Sequence, residues 1–311
     1  MVGLLFPGQG AQFVGMGRDL ASRFPLAKQA FEEADESLGF ALSRTAWDGS
    51  ETELTATSNA QPAILVHSIA VWRILRERLG DVVLAAGHSL GEFSAYVAAD
   101  ALSFADAVRT VRRRGELMLE AGNARPGAMA AVIGLEDAAV ERLCADASGS
   151  TDGVCVAANF NSPAQVVISG DHAAVGRAMA LARAAGAKRV LPLNVSGAFH
   201  SPLMEPAQAG LGAALGTVAL ADPTFPVVSN VTAEPVADAT RARALLLEQL
   251  TSPVRWTASM RTMLGAGITQ FVEIGPGAVL CGLLKRTERG RTCTSVGTAA
   301  QLAGFAGVGT V

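Results

Sequence analysis

A serine stands between two glycines in the segment Gly87-His88-Ser89-Leu90-Gly91. An apolar run at 82–86 precedes it and predicts a strand, and the stretch that follows predicts a helix. In such a G-x-S-x-G elbow, the sharp turn accepts only small residues beside the serine and lifts its hydroxyl clear of the sheet. The turn also aims the backbone N–H of Leu90 at a developing oxyanion. We therefore predict that Ser89 is a nucleophile; the alternative is a serine that only caps a glycine-lined turn.

A serine is a weak nucleophile without a base, and the sequence offers four histidines. His67 fits a packed helix, His172 fits a polar turn, and His88 adjoins the nucleophile in a position that favours a structural role. His200 lies in a loop after a predicted strand, where α/β enzymes place catalytic residues. Elimination therefore favours His200 as the base, with a purely structural loop histidine as the alternative. No acid is obviously placed to orient it, so the third member of a triad stays open.

An arginine lies beside an apolar stripe of the helix predicted over 104–118. Arg114 shares its face with Ala107, Val111 and Met118 at helical spacing, whereas most charged residues of this helix occupy the opposite face. A buried arginine is costly unless an anion pairs with it, and its planar fork suits a carboxylate. The pattern indicates a site for an anionic group of a substrate, and the alternative is an ion pair with an internal acid.

The loop Gly8-Gln9-Gly10 invites a nucleotide-binding interpretation, which the spacing excludes. A dinucleotide-binding motif needs glycine where Phe13 stands, and a P-loop needs lysine where Met16 stands. We interpret the loop instead as one that lends its backbone to the active site.

Short apolar strands and amphipathic helices alternate along the chain, which predicts an α/β fold with a mostly parallel sheet. Between about 126 and 195 the pattern predicts strand, helix, two strands, helix and strand. This βαββαβ order is typical of a ferredoxin-like subdomain. We predict a discontinuous core at 1–125 and 196–297, the inserted subdomain at 126–195, and a flexible C-terminal tail at 298–311.

The composition excludes several classes of protein. Of 311 residues, 50% are hydrophobic and 17% are charged, with a net charge of −3, which favours neither nucleic acid nor an anionic membrane as partner. No apolar run reaches the about 18 residues of a membrane span, and the N-terminus lacks signal-peptide features, so we expect a cytoplasmic protein. The four cysteines show no metal-binding spacing, and we expect free buried thiols and no metal site.

Six segments between about residue 3 and residue 290 form a specific combination. They are Phe6-Pro7-Gly8-Gln9-Gly10-Ala11-Gln12, Gly87-His88-Ser89-Leu90-Gly91-Glu92, Arg114-Gly115, Asn159-Phe160-Asn161-Ser162-Pro163, Ala198-Phe199-His200 and Glu273-Ile274-Gly275-Pro276-Gly277. Together they resemble the malonyl-CoA:acyl carrier protein transacylases, which serve fatty-acid synthesis and have related acyltransferase domains in polyketide synthases. The resemblance implies an α/β-hydrolase-like core with a ferredoxin-like insert.

The resemblance also implies a role for each residue of the catalytic centre. Ser89 is expected to be the acylated nucleophile, and His200 its general base and acid. The backbone N–H groups of Gln9 and Leu90 are expected to form the oxyanion hole. The backbone carbonyl of Gln249 is expected to orient His200, which accounts for the lack of an obvious triad acid.

By the same resemblance, Arg114 binds the free carboxylate of malonate, and Phe199, Met118 and His88 are expected in the acyl pocket. Phe199 and Leu90 should crowd an α-methyl branch, although a single carbon discriminates by only about 1–3 kcal/mol. The implied reaction is ping-pong transfer of malonyl from malonyl-CoA to the phosphopantetheine thiol of acyl carrier protein. The carrier protein belongs to fatty-acid synthesis or, alternatively, to polyketide synthesis.

The implied enzyme uses no cofactor, binds the carrier protein transiently and is a monomer. Two other functions compete with it. A serine esterase or thioesterase on the same core would hand the acyl group to water, and Arg114 argues against it because ordinary esters need no buried cation. A non-catalytic subunit would only hold the carrier protein, and the presence of both Ser89 and His200 argues against that.

Overall fold

The computed structural model describes residues 1–149 and 153–308. The described residues form two sheets, with strands β1 (Val2–Phe6), β2 (Val82–Gly87), β3 (Gly127–Ile133), β4 (Cys155–Ser162), β5 (Gln165–Asp171), β6 (Arg189–Pro192), β7 (Val227–Val228), β8 (Pro235–Val236), β9 (Gln270–Ile274) and β10 (Thr292–Val296). The α-helices are α1 (Arg18–Arg23), α2 (Pro25–Leu38), α3 (Leu42–Asp48), α4 (Glu51–Thr55), α5 (Thr57–Leu75), α6 (Gly91–Ala98), α7 (Phe104–Ala124), α8 (Asp137–Gly149), α9 (His172–Ala184), α10 (Glu205–Thr217), α11 (Ala239–Glu248), α12 (Trp256–Gly265), α13 (Val279–Thr287) and α14 (Ala299–Gly304). None of these helices combines the length and the apolar character that a membrane span requires.

The larger sheet has six strands in the order β10-β9-β1-β2-β7-β8. Neighbouring strands are parallel except for β7 and β8, which are antiparallel. All five residues of β1 are buried, as expected for a central strand that helices cover on both faces. Phe6 pairs with Gly87, so the loops after β1 and β2 leave the sheet side by side. Parallel pairing therefore brings the loop of Gln9 to the elbow of Ser89.

The smaller sheet has the order β4-β5-β3-β6 and is antiparallel throughout. The elements β3, α8, β4, β5, α9 and β6 follow one another along the chain, which is the order predicted from the sequence for this region. Ala130 and Val132 of β3 join Val140 and Val175 in a separate apolar core between this sheet and its helices. Met129 points to the other face and packs with the core of the larger unit.

Three glycines determine how closely the elbow approaches the first strand. A Cβ at Gly91 would lie 2.2 Å from the carbonyl oxygen of Phe6, and a Cβ at Gly8 would lie 2.4 Å from that of His88. A Cβ at Gly87 would lie 1.8 Å from the carbonyl carbon of Gly91. Each of these neighbours is a backbone atom that a rotamer change cannot move. Only glycine therefore allows the two loops and the start of α6 to come together.

The structure corrects two expectations. Cys281 and Cys293 form a disulfide, because α13 packs beside β10 and brings their Cα atoms to 5.4 Å; Cys144 and Cys155 are free and buried as expected. The region predicted as a loose tail contains α14, with Leu302 fully buried. Residues 299–308 therefore pack on the core, and the remaining tail residues 309–311 lie outside the described part of the chain.

Replacing Gly91 by alanine should lower the free energy of unfolding by roughly 3 kcal/mol, because the added methyl group overlaps a backbone carbonyl that cannot move away. Gly176→Ala in α9 is the control, since its added Cβ meets no atom within 4 Å. The control should be neutral or gain about 0.5–1 kcal/mol from the helix preference of alanine. Urea unfolding followed by circular dichroism measures both. Equal stabilities of the two variants would show that the close approach is not a constraint.

Candidate active site

Ser89 lies in the turn between β2 and α6 with a φ of 52°, in the left-handed region that non-glycine residues rarely adopt. A buried amide holds this strained turn. The backbone N–H of Ser89 donates to Asn230 Oδ1 at 2.7 Å, and Asn230 Nδ2 donates to the carbonyl of Gly87 at 2.7 Å. The loop after β7 thus fixes the turn of its neighbour β2 in the sheet.

His200 reaches Ser89 from the connection between β6 and α10. Its Nε2 lies 2.8 Å from Ser89 Oγ, and its Nδ1 lies 2.9 Å from the backbone carbonyl oxygen of Gln249. Since a carbonyl only accepts, Nδ1 carries the hydrogen and Nε2 is left to accept the serine proton. A backbone carbonyl therefore occupies the place that a carboxylate has in a Ser-His-Asp triad.

Burial lowers the pKa of both histidines of the site. His200 is 4% exposed, and burial together with the neighbouring Arg114 cation lowers its pKa to about 3. His88, whose Nε2 is 2.8 Å from Asn161 Oδ1, has a pKa that burial also lowers. A neutral imidazole at position 200 is the form that accepts a proton from Ser89.

Arg114 is 1% exposed in α7 and contacts the nucleophile. Its Nη2 donates to Ser89 Oγ at 3.1 Å and to Gln249 Oε1 at 2.9 Å, and its Nη1 donates to Gln61 Oε1 at 2.6 Å. These acceptors are neutral, and Nε has no partner among the described residues. Burial lowers the pKa of Arg114 to about 10, which leaves it charged at neutral pH. The sequence had left open an ion pair between Arg114 and an internal acid. No such direct ion pair forms among the described residues.

Gln249 links these groups to an acid that the sequence analysis did not identify. Its Nε2 donates to Glu92 Oε2 at 2.7 Å and to the backbone carbonyl of Ser89 at 3.1 Å. Glu92 is fully buried, and burial raises its pKa to about 7. One signal was available: a glutamate that is the only charged residue in the first turn of a mostly apolar helix needs a partner. Gln61 and Asn230 were also missed, and no local motif marks them.

The site opens into a cavity of about 320 Å³. Residues of the larger-sheet unit and residues of the smaller sheet together form its walls. Eight of the nine predicted site residues line it, namely Gln9, His88, Ser89, Leu90, Arg114, Met118, Phe199 and His200. Gln249 lies behind His200 and is buried. No Asp or Glu belongs to the described lining. The cavity therefore combines one buried cation with apolar and amide walls.

The predicted oxyanion donors lie where the two loops meet. Gln9 is held through its side chain, whose Oε1 accepts from Thr57 Oγ1 at 2.8 Å. Leu90 follows the nucleophile and precedes α6. Within the described chain, the backbone N–H groups of Gln9 and Leu90 donate to no other backbone group. Both residues line the cavity, and no backbone acceptor of the described chain competes for their N–H groups.

A family model for the acyl transferase domain matches residues 4–304. A malonyl CoA-acyl carrier protein transacylase of Bacillus subtilis is 48% identical over 93% of this chain and 90% of its own length. The structure of an acyl carrier protein S-malonyltransferase from Vibrio cholerae has a TM-score of 0.93 at 43% identity, covering 97% of this chain and 99% of the other. A malonyl-transacylase solved with its type II polyketide-synthase acyl-carrier protein also gives 0.93, at 42% identity over 97% of each chain. This chain belongs to the acyl transferase family.

The pKa of His200 predicts the pH dependence of acyl-enzyme formation. A base acts in its neutral form, so the rate falls only as the pH drops toward the pKa of that base. With a pKa lowered from 6.5 to about 3, kcat/KM for malonyl-CoA should stay within about twofold from pH 8 down to about pH 5.5.

Glu92, with a pKa of about 7, is another buried group that titrates in this range, so Glu92→Gln is measured in parallel. An acid limb near pH 6.5 that persists in Glu92→Gln would contradict a base held neutral by burial.

Proposed function

We propose that this chain transfers the malonyl group from malonyl-CoA to the phosphopantetheine thiol of an acyl carrier protein, through a malonyl-Ser89 intermediate. The observation that supports this proposal most directly is the positive charge of the site. Arg114 Nη2 lies 3.1 Å from Ser89 Oγ, in a cavity whose described lining contains no acid. A malonyl thioester supplies the anion. Its carboxylate and its thioester carbon are separated by one methylene, so a carbonyl placed on Ser89 puts the carboxylate at Arg114.

In the first half-reaction, Ser89 Oγ attacks the thioester carbon while its proton passes to His200 Nε2. The oxyanion of the tetrahedral intermediate accepts from the backbone N–H groups of Gln9 and Leu90. As the intermediate collapses, the carbon–sulfur bond breaks and the proton on His200 goes to the sulfur of CoA. The imidazolium that forms keeps its Nδ1–H on the carbonyl of Gln249, 2.9 Å away.

The second half-reaction reverses these steps with a different thiol. His200 takes the proton of the phosphopantetheine thiol, the sulfur attacks the ester carbon, and Ser89 Oγ leaves and regains its proton. The solved complex of a malonyl-transacylase with an acyl-carrier protein supports such a carrier as the acceptor. Carriers of this kind serve fatty-acid and polyketide synthesis. The reaction needs no metal or bound cofactor in this proposal.

We also propose the finer description of the fold: an α/β-hydrolase-like core at 1–125 and 196–297 with a ferredoxin-like insert at 126–195. The strand order β4-β5-β3-β6 supports the insert, and the elbow after β2 supports the core. We further propose that the enzyme is a cytoplasmic monomer that binds its carrier transiently.

Incubation of the wild type with malonyl-CoA should give one malonyl adduct by intact mass, and holo carrier protein should then acquire that group. Ser89→Ala should form no adduct while its melting temperature stays near that of the wild type, because the hydroxyl is the covalent acceptor. An adduct that persists in Ser89→Ala would assign the nucleophile elsewhere. Free malonate in place of malonyl-carrier protein would identify a thioesterase.

Arg114→Ala should reduce kcat/KM for malonyl-CoA by about tenfold to a hundredfold, because a charge-assisted contact of about 1.5–3 kcal/mol is lost. Acetyl-CoA has no carboxylate and should lose little. Arg113→Ala is the matched control, since Arg113 lies on the same helix but pairs with Glu116 and Glu120 at the surface. It should leave both thioesters unaffected. Equal losses for both thioesters in Arg114→Ala would make Arg114 a structural residue.

A further inference from the structure

The side-chain amide of Gln249 has one orientation that satisfies its neighbours. Its Oε1 accepts from Arg114 Nη2 at 2.9 Å, and its Nε2 donates to Glu92 Oε2 at 2.7 Å. A turn of the amide by about 180° would place its NH2 group against the guanidinium, where donor would face donor. Whatever holds the amide in this orientation therefore also holds Arg114 against the cavity.

Glu92 holds the amide by the shorter of two bonds from Gln249 Nε2; the other, at 3.1 Å, goes to the backbone carbonyl of Ser89. A carboxylate only accepts hydrogen bonds, and Glu92 Oε2 accepts from Gln249 Nε2 and from the backbone N–H of Asn230 at 3.1 Å. Glu92 is fully buried in the first turn of α6, and it does not line the cavity. It therefore cannot contact an acyl group in the cavity. It acts through the side chain of Gln249 and through the backbone of Asn230, the residue that holds the turn of Ser89.

The other acid that is buried among the described residues has a different task. Glu273 accepts from the backbone N–H groups of Leu280 and Cys281 and so satisfies the start of α13. Its partners do not line the active-site cavity. The two acids thus share burial but differ in what they orient: Glu273 orients a helix end, and Glu92 orients a side chain of the site.

We propose that Glu92 is a positioning residue for substrate selection: it fixes the amide of Gln249, and that amide fixes Arg114 for an acyl group that ends in a carboxylate. The inference rests on the proposed malonyl transfer. The carbonyl that Gln249 presents to His200 belongs to the main chain, which is anchored by the bond from Gln249 N–H to the Leu245 carbonyl at 2.9 Å. Glu92 should therefore affect the choice of acyl group more than the proton transfer.

Glu92 performs this role as a hydrogen-bond acceptor, and its negative charge is not required for it. Arg114 on α7 and Tyr96 on α6 are the titratable neighbours that interact with Glu92. A negative charge on Glu92 competes with a bound substrate carboxylate for the same guanidinium. Removal of the charge alone should not weaken malonyl recognition. Removal of the acceptor leaves Gln249 Nε2 with only the longer bond to the Ser89 carbonyl and so weakens the hold on the amide.

Two substitutions separate these effects. Glu92→Gln keeps an acceptor oxygen of the same reach and removes the charge, and Glu92→Leu removes both. We expect the ratio of kcat/KM for malonyl-CoA to that for acetyl-CoA to stay within about threefold of wild type in Glu92→Gln. In Glu92→Leu the ratio should fall about tenfold, with the loss on the malonyl side. Glu273→Gln, which disturbs a buried acid elsewhere, should lower the melting temperature without changing the ratio.

The outcomes that would overturn the inference are distinct. Equal losses for the two thioesters in Glu92→Leu would give Glu92 a purely structural role. An equal fall of the ratio in Glu92→Gln would assign the effect to charge instead of orientation. A wild type that forms no malonyl adduct would instead refute the proposed function. A wild type that prefers malonyl-CoA while Glu92→Leu keeps that preference would refute only the role of Glu92.

Gln249→Met tests the same link from its other end if Glu92→Leu does not fold. Methionine keeps the backbone carbonyl for His200 and removes the amide that joins Glu92 to Arg114. The malonyl-to-acetyl ratio should again fall about tenfold, and a double variant with Glu92→Leu, where it folds, should show no further loss. An unchanged ratio in Gln249→Met would show that the amide does not position Arg114.

Discussion

A guanidinium buried beside the nucleophile, with no carboxylate from the described residues bonded to it, is the constraint on which the rest of this site depends. Removal of a cation from water is costly, and proteins usually offset the cost with a direct ion pair. Here three neutral oxygens, from Ser89, Gln249 and Gln61, share the N–H groups of Arg114. The arrangement gives both Nη groups hydrogen-bond partners without neutralising the charge. A cation held in this way retains its attraction for an anionic substrate.

The same constraint explains why a backbone carbonyl orients His200. A carboxylate in that position would bring a negative charge into a site that selects for a negative acyl group, and it would compete for Arg114. The carbonyl of Gln249 fixes the tautomer of the imidazole at 2.9 Å without adding charge. The nearest acid in the network, Glu92, is set back behind the Gln249 amide. Its pKa, raised to about 7 by burial, further limits the negative charge that it brings.

The geometry of the nucleophile depends on close backbone contacts that leave no room for side chains. Gly8 and Gly91 let the loops after β1 and β2 touch, and that contact brings Gln9 beside Leu90. The left-handed conformation of Ser89 is maintained by Asn230 from the adjacent strand end. The sheet thus holds the strained turn in place, because β7 lies next to β2 and positions Asn230. The chemistry proposed for the site therefore depends on strand order as well as on residue type.

The sequence by itself determined the features that lie within one segment. We could predict the elbow of Ser89, the position of Arg114 on an apolar helix face and the βαββαβ order. Each of these features depends on the residue types and their spacing within one stretch of sequence. Every residue has a backbone carbonyl, so residue type does not show which carbonyl orients His200. The role of Gln249 was therefore inferred only from a family resemblance. Tertiary structure alone decided the partners of these groups. Ser89 and His200 are 111 residues apart, and Glu92 and Gln249 are 157 apart. Their meeting depends on the order in which parallel strands assemble, which no local pattern encodes, and the same holds for the Cys281–Cys293 disulfide and the packed helix α14.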